Sequence, residues 1–531
     1  MNDHKEQIKV KSWIIGVLSL GSLSLGLAGC TANFEETNTD PNNMLVGQVN
    51  PYSLFEPILY GSANTWQEYT WFWNNELTQF TAFTGGTTRE EHRYKISDGN
   101  WKSVWNTYAK YASNSAHMYE QADARGADAI KAVAQTMKVL FMSNLTDMYG
   151  DIPYREAFQG RGEASNTKPV FDSQEEVYKR MFEELEEANA LYAAAPKFAK
   201  KELDGMYKGD LGQWRKFNNS LYLRLLCRVS GRLGAEAGAK MKEILTNPDT
   251  YPIFQSNADN AAVAFSGIDP YRNHFASTLA SDFTTSGRKL TRQLIKMTVV
   301  TENNSQVYED PRLAIWGVKN GSTQYNPNKL WLGTVAGCTR EEMNVVDRGA
   351  AYLNHPVFCR AEAPSYYMDY AEVLFICAEA ALKGYIEGGE AKAETYYQAA
   401  VTASVEKWAG VGQYCATPVV ITPDDITALL DSKLASWELA DNKEELIANQ
   451  KFLALFWIGM EAYHEYRRTE YPVLTIGEGT TYNDLVFPSR FAYHTTTLAT
   501  NGAHAAEALQ RMGGANDMKT PVWWSKQASR K

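Results

Sequence analysis

The sequence predicts an all-α protein, in which irregular TPR-like helical hairpins stack as a scaffold and carry a loop-rich subdomain on one face. Apolar residues recur at steps of three and four along most of the chain, and these stripes come in pairs separated by short turns. One long stretch lacks the pattern. A single hairpin of this kind cannot bury its own apolar face, so the hairpins need stacked neighbours.

The N-terminus has the pattern of a bacterial lipoprotein signal. Three lysines precede an apolar run at 13–26, which is shorter than the ~20 residues of a membrane-spanning helix. The run is followed by small residues and Cys30, the position at which a lipoprotein is cleaved and acylated. We therefore predict a signal peptide at 1–29, lipidation of Cys30 and a polar tether at 30–50. A plain signal peptide followed by an unrelated cysteine is the alternative.

The first part of the scaffold is predicted at 51–254. Trp66, Trp73, Leu77 and Phe80 fall at helical spacing and are expected in the core. The sequence Ser173-x-x-Glu176 is a capping box that opens a helix. The other apolar stripes run over 101–119, 130–145, 177–192 and 214–225.

The second part of the scaffold is predicted at 366–531. Its clearest unit is a hairpin at 366–409, where two apolar stripes flank a glycine-bounded turn at 384–389. Alanines on both stripes allow the two backbones to approach closely. A last helix is predicted at 446–468. The repeats do not keep a fixed period of 34 residues, so the hairpins are irregular.

Between the two parts lies the stretch 255–365, which we predict to be a loop-rich, ligand-facing insert. It is rich in Asn, Thr, Gly and Pro, and its aromatic residues stand singly among polar ones. It is too long for an ordinary connection. Loops held by a rigid scaffold are common places for binding sites.

Composition and motifs argue against several classes of function. The formal net charge of −10 argues against a nucleic-acid partner. Cys227 and Cys377 lie within helical stripes and are expected to be buried thiols. Signatures of nucleophilic hydrolases, zinc proteases, nucleotide-binding loops and calcium loops are missing, so no catalytic residue, metal or cofactor is predicted. Because a glycosidase needs only two well-placed carboxylates, a surface glycoside hydrolase remains an alternative.

Several stretches occur together and in order after the lipoprotein signal. They are "NLTDMYGDIPYREAF" (144–158), "KGDLGQWRKFNNSLYLRLLCRVS" (208–230), "YYMDYAEVLFICAEAALKG" (366–384), "FLALFWIGMEAYHEYRRTEYP" (452–472), "FPSRFAY" (487–493) and "TPVWW" (520–524). In this combination the chain resembles the SusD/RagB family of nutrient-binding outer-membrane lipoproteins, in its SusD-like second branch.

The resemblance implies a non-catalytic lipoprotein that is anchored in the outer membrane and faces the cell exterior. It would capture nutrients, most often oligosaccharides, for a SusC-like TonB-dependent transporter. Peptide cargo is a second possibility, because the RagB side of the family is associated with peptides. The quoted stretches are scaffold motifs, and the family's ligand residues share no signature that could be transferred to this chain.

Candidate ligand residues therefore come from the chemistry of sugars. A sugar has flat apolar C–H faces and a polar rim, so its binding sites combine exposed aromatic rings with polar side chains. In this sequence, aromatic rings flank the polar loops at 84–93 and 326–329. The candidates are Phe83, Arg93, Tyr94, Tyr271, Asn273, Tyr325, Asn328 and Trp331. For the four rings flanking these loops, packing as small core contacts beneath the loops is the alternative.

Overall fold

The computed structural model describes residues 49–86, 88–160, 165–195, 197–284, 287–344 and 348–530. The predicted signal peptide, Cys30 and nearly all of the tether lie outside the described residues. From Pro51 onward the chain forms one structural unit, which is mostly helical. The predicted all-α scaffold is confirmed.

The first part of the scaffold consists of one three-residue helix and several long helices, and each long helix packs against the next long one along the chain. They are α1 (Tyr52–Tyr69), α2 (Asn75–Leu77), α3 (Asp98–Asp123), α4 (Asp128–Tyr149), α5 (Gln174–Ala194), α6 (Leu211–Leu233) and α7 (Ala235–Thr246). A π-helical turn at Thr70–Asn74 joins α1 to α2. The four predicted stripes lie in α3 to α6, and Trp66, Trp73, Leu77 and Phe80 are buried as expected.

Polar side chains define where these helices begin. The Ser173 hydroxyl accepts the Glu176 backbone N–H at 3.3 Å, which gives the first half of the predicted capping box at α5. The Glu176 carboxylate accepts a hydrogen bond from the same hydroxyl rather than from the backbone. Asp210 caps α6 by accepting two backbone N–H groups. Such caps satisfy amide donors that have no partner inside the helix.

In its described residues, the loop-rich stretch contains only short helices and strands. The helices are α8 (Ser281–Thr284), α9 (Arg292–Thr298), α10 (Leu313–Trp316) and α11 (His355–Phe358). The strands, including one that precedes this stretch, are β1 (Thr81–Phe83), β2 (Ala261–Val263), β3 (Arg288–Leu290), β4 (Val299–Glu302), β5 (Ser305–Glu309), β6 (Gly317–Val318), β7 (Tyr352–Leu353) and β8 (Ser365–Met368). A small antiparallel sheet has the order β1-β3-β7-β6, and it ties β1 to the loop-rich stretch.

The second part of the scaffold contains the predicted hairpin. Its helices are α12 (Tyr370–Leu382) and α13 (Gly389–Ala409), followed by α14 (Pro423–Asp431), α15 (Lys443–Ala454), α16 (Glu461–Thr469), α17 (Thr495–Thr500) and α18 (Gly502–Met512). The prediction of one helix at 446–468 is wrong. Trp457 and Gly459 adopt positive φ angles of 71° and 50°, which no α-helix contains, and they separate α15 from α16.

A buried ion-pair network joins the two parts of the scaffold. Arg224 of α6 donates to both carboxylate oxygens of Glu372 in α12, at 2.7 and 2.5 Å. One turn further along α6, Arg228 pairs with Asp147 of α4 and with Glu461 of α16. These side chains are almost completely shielded from solvent. Their charges therefore depend on each other for compensation.

Neutral groups complete this network. The Asp147 carboxylate accepts hydrogen bonds from the Tyr178 hydroxyl at 2.6 Å and from the Trp524 indole N–H at 2.7 Å. Burial holds the pKa of His464 well below its usual range, and the neighbouring arginine charges lower it further. The neutral His464 accepts from Arg467 through Nδ1 at 2.6 Å, which leaves the proton on Nε2. Burial thus keeps His464 neutral, and the hydrogen bond from Arg467 sets its tautomer.

We expect Arg228→Met to lower the free energy of unfolding by about 3–5 kcal/mol, because it leaves two buried carboxylates without their shared cation. Urea unfolding followed by circular dichroism measures the change. Lys179→Met is the control: the Lys179 and Glu175 side chains are 50% and 42% exposed and pair on the surface of α5, so loss of this pair should cost less than about 1 kcal/mol. Similar losses for both variants would contradict the assigned role of the network.

Candidate functional site

The small sheet sets the positions of the two groups of predicted ligand residues. Phe83 ends β1 and lies opposite Arg288, which begins β3. β6 and β7 pair antiparallel, so the loop between them, 319–351, leaves the sheet at the other end, next to Leu290. Phe83 and the loop that contains Tyr325 are therefore at opposite ends of the sheet. The eight predicted residues do not form one continuous site.

At the first end, two half-buried rings surround an arginine. The Arg288 guanidinium carbon lies 4.7 Å from the Phe72 ring centroid and 5.6 Å from that of Phe83. Arg288 is buried, and its Nε lies 3.0 Å from the Glu76 carboxylate. Glu76 also accepts the Phe83 backbone N–H at 2.8 Å. Phe83 is thus half-buried and packs over a buried ion pair.

Arg93 and Tyr94 lie in the interior instead of lining an open surface. Arg93 donates to Glu90 at 2.5 Å, with 7% of its side chain exposed. Tyr94 is 1% exposed, and its ring packs edge-on against Phe487 at 5.8 Å. Burial raises the pKa of Tyr94. The ring of Tyr94 is a core contact beneath the loop, the alternative that the sequence left open, and it offers no face to a sugar.

Tyr271 and Asn273 shape the local backbone. Tyr271 is half-buried and packs on Tyr60, with ring centroids 4.6 Å apart. Asn273 is buried, donates through its amide to the Phe358 carbonyl at 2.9 Å and accepts the Phe275 N–H at 2.8 Å. Because the Asn273 side chain is occupied on both sides, it holds this loop in place and cannot also serve as a ligand contact.

Trp331 also lies in the core, in contrast to the predicted exposed ring. It is 3% exposed, and its indole N–H donates to Glu309 at 2.7 Å. The Gln306 side-chain amide makes two hydrogen bonds with the Trp331 backbone. Its oxygen accepts the Trp331 N–H at 2.9 Å, and its nitrogen donates to the Trp331 carbonyl at 2.7 Å. The strand β5 therefore supplies partners that cover Trp331, and the ring has no free face for stacking.

Tyr325 has the exposed ring that a sugar platform requires. It is 39% exposed, and the Arg348 guanidinium donates to its hydroxyl at 2.9 Å. Asn328, three residues further along the same loop, is exposed. An exposed aromatic ring with a cation and an amide close by is the combination expected for a sugar-binding site.

Two further exposed rings were not among the predicted residues. Tyr482 is 45% exposed and lies in the turn Thr481–Asn483. Tyr414 is 40% exposed, and the Arg360 guanidinium lies 3.6 Å from its ring centroid. Both tyrosines stand singly among polar or small residues, the signal that selected Tyr325, but they lie outside the predicted insert at 255–365.

The described residues contain no group of three or more His, Cys, Asp or Glu side chains placed to hold a metal ion. Across those same ranges, no helix has both the length and the apolar composition needed to cross a membrane. Cys227 and Cys377 are buried free thiols, as predicted.

Comparison with known proteins identifies the family. The SusD-like family described as "Starch-binding associating with outer membrane" matches residues 41–494. A solved chitin-binding protein is similar with a TM-score of 0.74 and 26% identity, over 90% of this chain and all of that one. A SusD homologue from Parabacteroides distasonis gives a TM-score of 0.76 at 20% identity, covering 90% and 98% of the two chains.

A chitin-binding SusD homologue from Flavobacterium johnsoniae gives a TM-score of 0.68 at 22% identity, covering 89% of this chain and 98% of its own. A comparison with curated protein sequences finds no significant match. The family match spans most of the chain, and the similar structures share its helical scaffold. The chain belongs to the SusD-like family of proteins associated with the outer membrane.

Proposed function

We propose that this protein captures oligosaccharides at the cell surface and passes them to a SusC-like TonB-dependent transporter in the outer membrane. The family description refers to starch binding, and two similar structures are named as chitin-binding proteins, which supports a carbohydrate ligand. Capture and release break no covalent bond, so the proposed protein is not an enzyme. The observation that carries the proposal is the exposed Tyr325 ring held by Arg348.

Tyr325 is the proposed platform for one sugar ring. Its hydroxyl is fixed at the edge by Arg348, so ligand binding does not have to order a freely rotating side chain. Stacking hides about 50–100 Å² of apolar surface, which at ~25 cal/mol/Å² corresponds to about 1–3 kcal/mol. Asn328 and Arg348 supply polar groups for the sugar hydroxyls.

We expect Tyr325→Ala to weaken oligosaccharide binding by about ten- to a hundredfold, because the stacking surface is lost. Isothermal titration calorimetry with malto-oligosaccharides and chito-oligosaccharides measures the affinity. A parallel assay for new reducing ends should stay at background, since no bond is broken. Release of new reducing ends would favour the alternative of a surface glycoside hydrolase.

Two variants serve as controls for Tyr325→Ala. Tyr325→Phe keeps the ring and removes only the hydroxyl, so most of the affinity should remain. Tyr414→Ala removes a tyrosine of nearly equal exposure that already has a guanidinium against its ring, and it should leave binding unchanged. Unaltered binding by the folded Tyr325→Ala variant would place the sugar site elsewhere. Binding of peptides in preference to every glycan would reassign the cargo.

The anchor is proposed to be the acylated Cys30. A chain with several acyl groups stays bound to a membrane, whereas one without any does not. We expect Cys30→Ala to move the protein from the membrane fraction to the soluble fraction, as followed by fractionation and immunoblotting. Cys227→Ala is a suitable control, because this thiol is buried in α6 and cannot be a lipid anchor. Membrane retention of Cys30→Ala at the wild-type level would exclude the proposed lipidation site.

The transporter partner follows from the proposed delivery step, because a tethered binding protein is useful only where its cargo can enter. Purification of the native lipoprotein in mild detergent should therefore co-purify a much larger outer-membrane β-barrel, identifiable by mass spectrometry. The Tyr325→Ala variant should retain this partner, since the change affects cargo binding alone. Repeated recovery of the lipoprotein without the barrel, from cells that express both, would argue against the complex.

A further inference from the structure

Three loops that are far apart in the sequence meet around the buried carboxylate of Glu90. Arg340 donates to it through Nε and Nη2, both at 3.0 Å. Lys95 and Arg93 each donate to it at 2.5 Å. The exposed Tyr482 ring lies beside them, with its centroid 5.0 Å from the Lys95 ammonium. We call these five residues the Tyr482 cluster.

Close backbone contacts hold the loops of the Tyr482 cluster together. The Gly479 N–H donates to the Gly337 carbonyl at 2.7 Å, and a Cβ on Gly479 would lie only 2.1 Å from the Cys338 carbonyl oxygen. The Gly337 N–H in turn donates to His92 Nδ1 at 3.0 Å. Burial and the adjacent Arg93 charge lower the pKa of His92 to about 3, so His92 is neutral and can accept this bond. These contacts of the folded chain therefore hold the loops of the Tyr482 cluster in place.

The Tyr482 cluster has more positive charge than its carboxylate needs. Glu90 is 3% exposed, and the buried Arg93 alone could neutralise it. Lys95 and Arg340 add two further cations, with 42% and 50% of their side chains exposed. Burial alone would raise the pKa of Glu90, but its bonds to Arg340 and Lys95 outweigh that effect and lower the pKa to about 2. The excess of two positive charges therefore persists at neutral pH, in a chain whose net charge is −10.

The two exposed cations have hydrogen-bonding capacity left. Arg340 uses Nε and Nη2 for Glu90 and for the Tyr482 hydroxyl, and within the described residues its Nη1 makes no hydrogen bond. Lys95 donates one of its three N–H groups to Glu90. Two nearby acidic residues on the same loops have other partners: Glu342 accepts from Thr339 at 2.7 Å, and Asp484 pairs with Lys519 at 2.5 Å.

We propose that the Tyr482 cluster binds the anionic group of an acidic sugar, a uronate carboxylate or a sulfate ester, while the sugar ring stacks on Tyr482. This inference rests on the proposed function, because it assigns the substrate class of the same glycan-capturing protein. A guanidinium and an ammonium next to an aromatic face suit such a residue, since charge-assisted hydrogen bonds are stronger than neutral ones. A neutral sugar would gain the stacking alone.

The test compares ligands that differ only in charge. Oligogalacturonate is compared with its methyl ester, and a sulfated galactan oligosaccharide with its desulfated form, by calorimetry on the wild-type protein. At least one acidic member should bind about ten- to a hundredfold more tightly than its neutral partner. This preference should shrink when the ionic strength is raised, because the two cations are exposed. The pair that shows the preference distinguishes a carboxylate from a sulfate ligand.

Matched variants test whether the Tyr482 cluster causes the preference for acidic ligands. Lys95→Gln combined with Arg340→Gln should abolish the preference for the acidic ligand, while Glu90 keeps Arg93 as its partner. Lys179→Gln combined with Arg180→Gln removes the same charge from the exposed face of α5 and should leave the preference intact. Tyr482→Ala should weaken binding of the acidic member, because the stacking surface of the cluster is lost, and should leave neutral glycans bound through Tyr325.

The outcomes separate this inference from the proposed function. Equal binding of the acidic and neutral members, with neutral glycans still bound through Tyr325, would overturn the inference and leave the proposed function standing. A preference for acidic ligands that survives in the Lys95→Gln, Arg340→Gln variant would also overturn it. Failure of the folded protein to bind any glycan, acidic or neutral, would overturn both.

Discussion

The scaffold depends on the buried pairing of Arg228 with Asp147 and Glu461. These residues come from α6, α4 and α16, so one guanidinium connects helices separated by more than two hundred residues in the sequence. A buried charge without its partner is costly, and each helix can therefore shift only together with the others. The apolar stripes make the helices pack, but such surfaces tolerate sliding, whereas a guanidinium between two carboxylates sets a definite register. This constraint gives the loops a rigid base.

Four of the stretches that carry the family resemblance each supply one residue to this network. Asp147 lies in "NLTDMYGDIPYREAF", Arg228 in "KGDLGQWRKFNNSLYLRLLCRVS", Glu461 in "FLALFWIGMEAYHEYRRTEYP" and Trp524 in "TPVWW", and all four meet in the buried interior. The resemblance therefore rested on residues that hold the scaffold together. It could predict the fold, and it contained no information on the ligand, because the exposed Tyr325, Tyr414 and Tyr482 lie outside all of these stretches.

Helical periodicity predicted most of the scaffold, but the structure departs from it where distant contacts decide. The break between α15 and α16 lies at Gly459, where a Cβ would meet the Trp66 indole nitrogen at 2.2 Å, a contact with α1 that the local sequence does not indicate. Distant contacts also decide which of the predicted ligand residues are exposed. Trp331, Tyr94 and Tyr325 all stand near polar residues, yet Glu309 and Phe487 cover the first two, and the third remains exposed. Exposure of a single aromatic residue depends on its distant neighbours.

The three exposed tyrosines differ in how an arginine meets them, and this difference decides which rings can serve a ligand. The Arg360 guanidinium carbon lies 3.6 Å from the Tyr414 ring centroid, a distance at which the guanidinium already occupies that face. At Tyr325 and Tyr482 an arginine instead donates to the hydroxyl, at 2.9 and 3.4 Å, and the cations nearest the ring centroids are farther away, at 5.4 Å for Arg348 and 5.0 Å for Lys95. A ring with its cations at that distance has more of its face available for stacking, and the hydrogen bond to its hydroxyl leaves it little further freedom to lose when a sugar binds. The distance between the cation and the ring centroid therefore separates Tyr325 and Tyr482 from Tyr414, whose face is already covered.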